Sequence, residues 1–238
     1  MSEPIRLQKY FTDCGLLSRR AAEAEIARGN VTVNGVKASI GDKIDPDTDV
    51  VMWNGKPVRP QSSAQKVYLM LNKPRGYVTT ASDEQGRRKV TDLVEDVGAR
   101  VYPVGRLDMD SEGLLLLTND GEFTNHLTHP RHEIPKIYRV TVSPAPTREQ
   151  LDALRAPMEL DGYRLLPVKV SCVSKTELEM RLYEGRNRQI RKMCASVGLD
   201  VKRLRRTAIG SLKLGELPLG AWRYLTPTEV AYLFPHKK

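Results

Sequence analysis

The apolar positions change period several times along the chain, and each change predicts an element. Ser18 precedes the run Arg19 to Arg28 and Gly29 follows it, which predicts a helix with a hydroxyl cap and a glycine stop. Residues 5–10 predict a short helix before it. Val31-Thr32-Val33 runs into Asn34-Gly35, a strand entering a tight turn. Asp42, Asp45, Asp47 and Asp49 punctuate the return to the apolar Val50-Val51-Met52. Two helices and a small sheet are expected over residues 1–59. Residues 60–65 are polar without an apolar period and predict a linker.

From residue 66 onward strands and helices mix. Residues 67–71, 101–104, 136–142, 168–173 and 177–183 predict strands, and the leucine run 114–117 predicts a strand buried on both faces. Residues 122–127 predict a short helix stopped by Pro130, and residues 147–154 a helix capped by Thr147. In residues 187–197, Ile190, Met193, Cys194 and Val197 fall at i, i+3, i+4 and i+7, the apolar stripe of an amphipathic helix. The expected class is α+β, a long mixed and mostly antiparallel sheet flanked by helices.

The chain has 238 residues, of which 40% are hydrophobic and 28% charged, enough for a real core. Net charge is +9, which points to an anionic partner. Residues 1–59 carry nine basic and eight acidic groups, so the excess lies elsewhere. Residues 186–213 hold nine basic groups against Asp200 alone, a net of +8 in 28 residues. So focused a field fits a surface that follows phosphates. Three widely spaced cysteines (Cys14, Cys172, Cys194) make a disulfide framework or a cysteine zinc site unattractive. With no apolar leader and no membrane-length run, a cytoplasmic location is expected.

The candidate chemistry lies between Gly105 and Gly113. A glycine-bounded polar loop before a buried strand can present a catalytic group from a rigid scaffold. Asp108 stands two residues from Arg106, and an ionised, oriented carboxylate can serve as nucleophile or base. A structural ion pair in a turn has the same spacing. His126, His129 and His132 are evenly spaced, but Pro130 breaks any helix between them, and no metal is expected there. A magnesium site on Asp108, Asp110, Glu112 and Asp120 is disfavoured by the neighbouring arginine and the apolar run before Asp120.

Gly105-Arg106-Leu107-Asp108, followed by Glu112-Gly113, the four leucines and Thr118-Asn119-Asp120-Gly121, resembles the catalytic motif of RNA pseudouridine synthases of the RsuA/RluB group. Leu71-Asn72-Lys73-Pro74-Arg75-Gly76 resembles that group's first motif, and Lys136-Ile137-Tyr138 its second. Glu184-Gly185-Arg186-Asn187-Arg188-Gln189-Ile190-Arg191-Lys192-Met193 resembles the third. The motifs occur in the group's order, over residues 66 to about 232. The resemblance implies a uridine-to-pseudouridine isomerisation in structured RNA that needs no cofactor, because nothing leaves the nucleotide overall. It implies that Asp108 attacks the target nucleotide. By the same resemblance Tyr138 is expected to pack on the flipped uracil and is the candidate for proton removal. Arg191 is expected to pair with Asp108, and Ile190 to wall the base pocket. Arg106, Arg188, Lys73 and Lys136 are expected to contact the substrate. Strand alternation means that Lys202, Arg203, Arg205 and Arg206 cannot all face one RNA.

The first 59 residues resemble the αL RNA-binding module shared with a small-subunit ribosomal protein, through Arg6-Leu7-Gln8-Lys9-Tyr10, Ser18-Arg19-Arg20-Ala21-Ala22, residues 29–35 and Gly41-Asp42. Arg6, Lys9, Ser18, Arg19 and Arg20 are its expected RNA contacts. The implied partner is ribosomal RNA, with a monomer acting on the large-subunit (23S) molecule. The run 112–121 and the segment 187–193 lean towards the RluB branch over the small-subunit (16S) RsuA branch. A binding-only assembly factor has no physical reason to keep Asp108, Tyr138 and Arg191 together.

Overall fold

The structure, a computed structural model, describes residues 3–59 and 65–235. The expected linker, residues 60–65, lies outside the described residues except for Gln65. The chain divides into two compact units, Met1–Lys66 and Val67–Lys238.

The first unit contains β1 (Ile5–Arg6), α1 (Leu7–Asp13), α2 (Arg19–Ala27), β2 (Val31–Val33), β3 (Val36–Lys37), β4 (Lys43–Ile44), β5 (Val51–Trp53) and β6 (Lys56–Pro57). The first helix starts later than its sequence suggests. Ile5 and Arg6 pair with Ile44 and Lys43, so the chain leaves the helix to them and turns at Leu7. Ser18 caps α2 by accepting from the Ala21 amide at 3.1 Å. Asn34 and Gly35 both have positive φ, as the tight turn between β2 and β3 requires. Leu7, Phe11, Ala22, Ile26, Ile44 and Val51 form this unit's core.

The second unit is built on a nine-stranded sheet. Its strands are β7 (Tyr68–Lys73), β8 (Tyr102–Val104), β9 (Glu112–Thr118), β10 (Lys136–Ser143), β13 (Lys169–Cys172), β14 (Glu177–Leu182), β15 (Asp200–Ile209), β16 (Leu212–Lys213) and β17 (Trp222–Tyr224). A small hairpin, β11 (Glu159–Leu160) and β12 (Tyr163–Arg164), stands apart. The main order is β13-β14-β10-β15-β9-β7-β17, with β8 on β9 and β16 on β15. Every pairing is antiparallel except β15 with β9, where Arg205 and Arg206 face Glu112 and Gly113.

That parallel junction explains Gly113. Its φ is +105°, and a Cβ built there would stand 2.2 Å from the Arg206 carbonyl oxygen. No side chain fits between the two strands. The leucines that follow alternate between two cores. Leu114 and Leu116 enter one cluster with Met70 and Phe123, while Leu115 and Leu117 enter another with Leu69, Leu71 and Leu107. Both faces are covered, so β9 is apolar throughout its run.

The helices are α3 (Gly121–Thr128), α4 (Arg148–Arg155), α5 (Gln189–Ser196) and α6 (Pro227–Leu233). Thr147 and Gln150 form a reciprocal cap on α4, and Asp120 caps α3 by accepting from the Glu122 and Phe123 amides. Ile190, Met193 and Cys194 pack from α5 into a third cluster with Val140, Met180 and Leu204. Among the described residues no helix is long and apolar enough to cross a membrane.

Candidate active site

Residues 105–111 connect β8 to β9 and present Asp108. Several bonds fix this loop. The Thr79 hydroxyl donates to the Leu107 carbonyl at 2.6 Å and accepts from the Leu107 amide at 3.2 Å. The Ser111 amide donates to the Asp108 carbonyl at 3.0 Å, closing a turn, and the Gly76 amide donates to the Met109 carbonyl at 2.8 Å. From below, the Lys73 ammonium donates to the carbonyls of Pro74, Asp108 and Ser111 at 3.0, 3.1 and 2.8 Å. Bonds on this many sides fix the backbone from which the Asp108 carboxylate projects.

Asp108 opens onto a cleft whose lining includes Arg106, Leu107, Ser111, Tyr138, Leu182, Arg186, Arg188, Ile190 and Leu204. Tyr138 rises from β10, between Met180 and Arg206 on the neighbouring strands, and packs on two of the apolar clusters. Ile190 is buried in the wall at the start of α5. Arg106 is exposed at the mouth. Arg186 pairs with Glu184 at 3.2 Å and lies over the Tyr163 ring, 4.0 Å from its centre. Three arginines around one carboxylate make an opening suited to a polyanion that carries a planar base.

Three expectations are corrected. Arg191 does not pair with Asp108; its guanidinium meets the Asp110 carboxylate and main-chain carbonyl, both at 3.2 Å, and the Val201 carbonyl at 3.1 Å. The cation near Asp108 is Arg188, at 3.8 Å. Helix α5 turns Arg191 three residues beyond Arg188, towards β15, so sequence proximity to the third-motif isoleucine misassigned the pair. Lys73 is fully buried and lines no part of the cleft; it braces the loop from inside. Burial pushes its ammonium down to about 8 against the pull of Asp110, Asp108 and Glu112. Lys136 is half-buried at the start of β10 and is absent from the cleft lining. Burial, with Arg206 nearby, lowers it to about 8.

Burial, not simple strand alternation, divides the basic run on β15, because the register shifts between Arg203 and Val201 opposite Thr141 and Val142. Arg206 is buried and donates to the Leu114 carbonyl at 2.7 Å, while Lys202 and Arg203 are exposed. In the first unit, Arg19 and Arg20 are exposed, Arg6 donates to the Gly41 carbonyl at 3.2 Å, and Lys9 pairs with Asp13 at 2.6 Å. The Ser18 hydroxyl serves its helix. The rings of His126 and His132 lie 4.2 Å apart, tilted by 40°, and among the described residues no three His, Cys, Asp or Glu side chains converge to hold a metal.

Sequence reasoning missed Asp110 and Glu112 as organisers. Arg188 grips Asp110 at two points, 3.3 and 3.1 Å. Burial raises the Asp110 carboxyl, but its bond to Arg188 and the charges of Arg191 and Arg188 outweigh this and hold it below the usual range. Glu112 is buried and takes Arg203 at 2.5 Å and Arg75 at 3.6 Å. Both acids stand in the same segment as Asp108, yet spacing alone gives no reason to choose among its carboxylates.

The family model described as RNA pseudouridylate synthase matches residues 67–196. The chain belongs to the RNA pseudouridine synthases. It is 41% identical over 235 residues to the ribosomal large subunit pseudouridine synthase B of Bacillus subtilis (strain 168), covering 96% of this chain and 95% of that protein. It is 40% identical over 230 residues to the dual-specificity RNA pseudouridine synthase RluF of Escherichia coli (strain K12), covering 97% and 78%. A solved pseudouridylate synthase superposes with a TM-score of 0.70 at 29% identity, over 96% of this chain and 99% of that one. The mixed sheet with its helices is therefore a pseudouridine synthase fold, and RNA is the substrate class of the family.

Proposed function

We propose that this enzyme isomerises one uridine of large-subunit (23S) ribosomal RNA, with Asp108 as the attacking carboxylate. The observation that carries the reading is the cleft itself. It joins Asp108 on a braced loop, the Tyr138 ring, the apolar wall of Ile190 and the cations Arg106 and Arg188. The target base leaves its stem at a cost of a few kcal/mol, which stacking on Tyr138 and phosphate contacts to arginines offset. As the Asp108 carboxylate bonds to the nucleotide, the bond from ribose C1′ to uracil N1 breaks; the base turns, C1′ bonds to C5, and the carboxylate leaves with its electron pair. The C5 proton departs, with Tyr138 as its first acceptor, and N1 gains a proton. Atoms and electrons balance within the nucleotide, so the step calls for no cofactor. Arg191 acts indirectly, by fixing the loop that carries Asp108.

The 41% identity to a protein named for the large subunit supports that target over 16S RNA. In the same reading the first unit is an RNA-binding module that offers Arg19 and Arg20, and the enzyme works as a cytoplasmic monomer. The test is to incubate the purified protein with ribosomal RNA from a strain lacking the gene and to map pseudouridines by mass spectrometry. One new pseudouridine in 23S RNA is expected, and none with Asp108→Asn, which should still fold and bind RNA. No conversion by the wild type overturns the reading, and a site in 16S RNA overturns the target.

A further inference from the structure

Asp108 and Asp110 lie in one turn and compete for one cation. Arg188 gives both terminal nitrogens to Asp110, at 3.3 and 3.1 Å, and comes no nearer than 3.8 Å to Asp108. Arg191 secures the arrangement from the other side. It holds both the carboxylate and the main-chain carbonyl of Asp110, and it is itself anchored on β15 through the Val201 carbonyl. Arg188 reaches this position from a left-handed backbone, φ +50°, at the entry to α5. A non-glycine residue holds that conformation only where its surroundings impose it.

A carboxylate gripped at two points by a guanidinium has its lone pairs engaged and is a poor nucleophile. A cation a little beyond hydrogen-bond range still attracts a carboxylate without occupying its lone pairs. We propose that Asp110 is a positioning residue for the reaction: it takes the two-point grip of Arg188 so that Asp108 keeps the charge of that arginine nearby and its own lone pairs free. One acid thus separates two requirements that Arg188 and Asp108 alone would set against each other. The inference rests on the reading of Asp108 as the attacking group.

Single-turnover release of tritium from C5 of uridine, in 23S and 16S RNA transcribed in vitro, tests it. Asp110→Ala should slow the chemical step by about tenfold or more while the RNA concentration for half-maximal rate stays within about twofold. Asp110→Asn keeps an acceptor oxygen for Arg188 and should recover much of the rate. In an Arg188→Ala background, Asp110→Ala should cost little more, because the two act through one contact. A wild-type rate for Asp110→Ala, a loss confined to RNA affinity, or additive losses in the double variant overturns the proposal. Thermal melting of each variant, and Asp110→Asn itself, separate a rate effect from misfolding. An Asp108→Asn enzyme that still releases tritium defeats the reading of Asp108 instead, so the two failures are distinguishable.

Discussion

Replacing Lys73 with Met removes one ammonium from beneath the loop that carries Asp108 and little else, since the side chains are similar in length and the site is fully buried. Three carbonyls, of Pro74, Asp108 and Ser111, lose their donor. At about 1.5 kcal/mol for each bond to a charged donor, the gross loss is roughly 5 kcal/mol. The variant also escapes the cost of burying a charge. The fall of the lysine from 10.5 to about 8 corresponds to about 3 kcal/mol of that cost at neutral pH. The net expectation is a destabilisation of roughly 2 kcal/mol, a drop in melting temperature of about 4–8 °C for a unit of this size. Activity should fall much further, by about 100-fold, because the carbonyls of Asp108 and Ser111 lose the ammonium that ties them together and a shift of about 1 Å is costly in catalysis. The pH dependence has a definite sign. Between about 8 and 10.5 the folded state binds fewer protons at Lys73 than the unfolded chain, so this group makes stability rise with pH across that window. Lys73→Met should lack the rise. Melting curves from pH 7 to 10 and tritium release at pH 7 measure both. A variant with wild-type melting and wild-type activity refutes the bracing argument.

Two further perturbations follow from single contacts. Gly113→Ala places a Cβ 2.2 Å from the Arg206 carbonyl oxygen and should destabilise by about 3 kcal/mol or more, seen as lost soluble yield or a depressed melting temperature. Arg223 holds Glu229 on two oxygens at 2.8 and 2.6 Å and, with the Thr226 amide, brings its carboxyl down to about 2. Its stabilisation is complete above the unfolded value near 4.5 and fades as pH falls towards 2, so Glu229→Gln should lower stability at pH 7 and flatten that acid limb in denaturation curves.

Much of the fold was legible because its signals are local. Ser18 capping α2, Thr147 with Gln150 on α4, the positive φ of Asn34 and Gly35, and the stripe of Ile190, Met193 and Cys194 each act within a few residues. The first helix was misplaced because its opening residues pair with β4, with partners 37 and 39 positions away. The candidate site divides the same way. Short segments sufficed to propose its loop, Asp108 and Tyr138, and the fold brings Asp108 and Tyr138 to one cleft.

What those side chains do to one another was not readable, because it depends on which strands become neighbours. Arg188 meets Asp110 across 78 residues, Arg191 meets the Asp110 carbonyl across 81, and Lys73 meets the Asp108 carbonyl across 35. Each contact exists only because the sheet sets β15 beside β9 and β9 beside β7. The sequence by itself determined the kinds of element and the family. Only the tertiary structure decided which cation stands by Asp108 and that Lys73 is an internal brace. The physical reason is range: capping and periodicity are settled along the chain, whereas burial and ion pairing are settled by whatever the fold brings within a few ångströms.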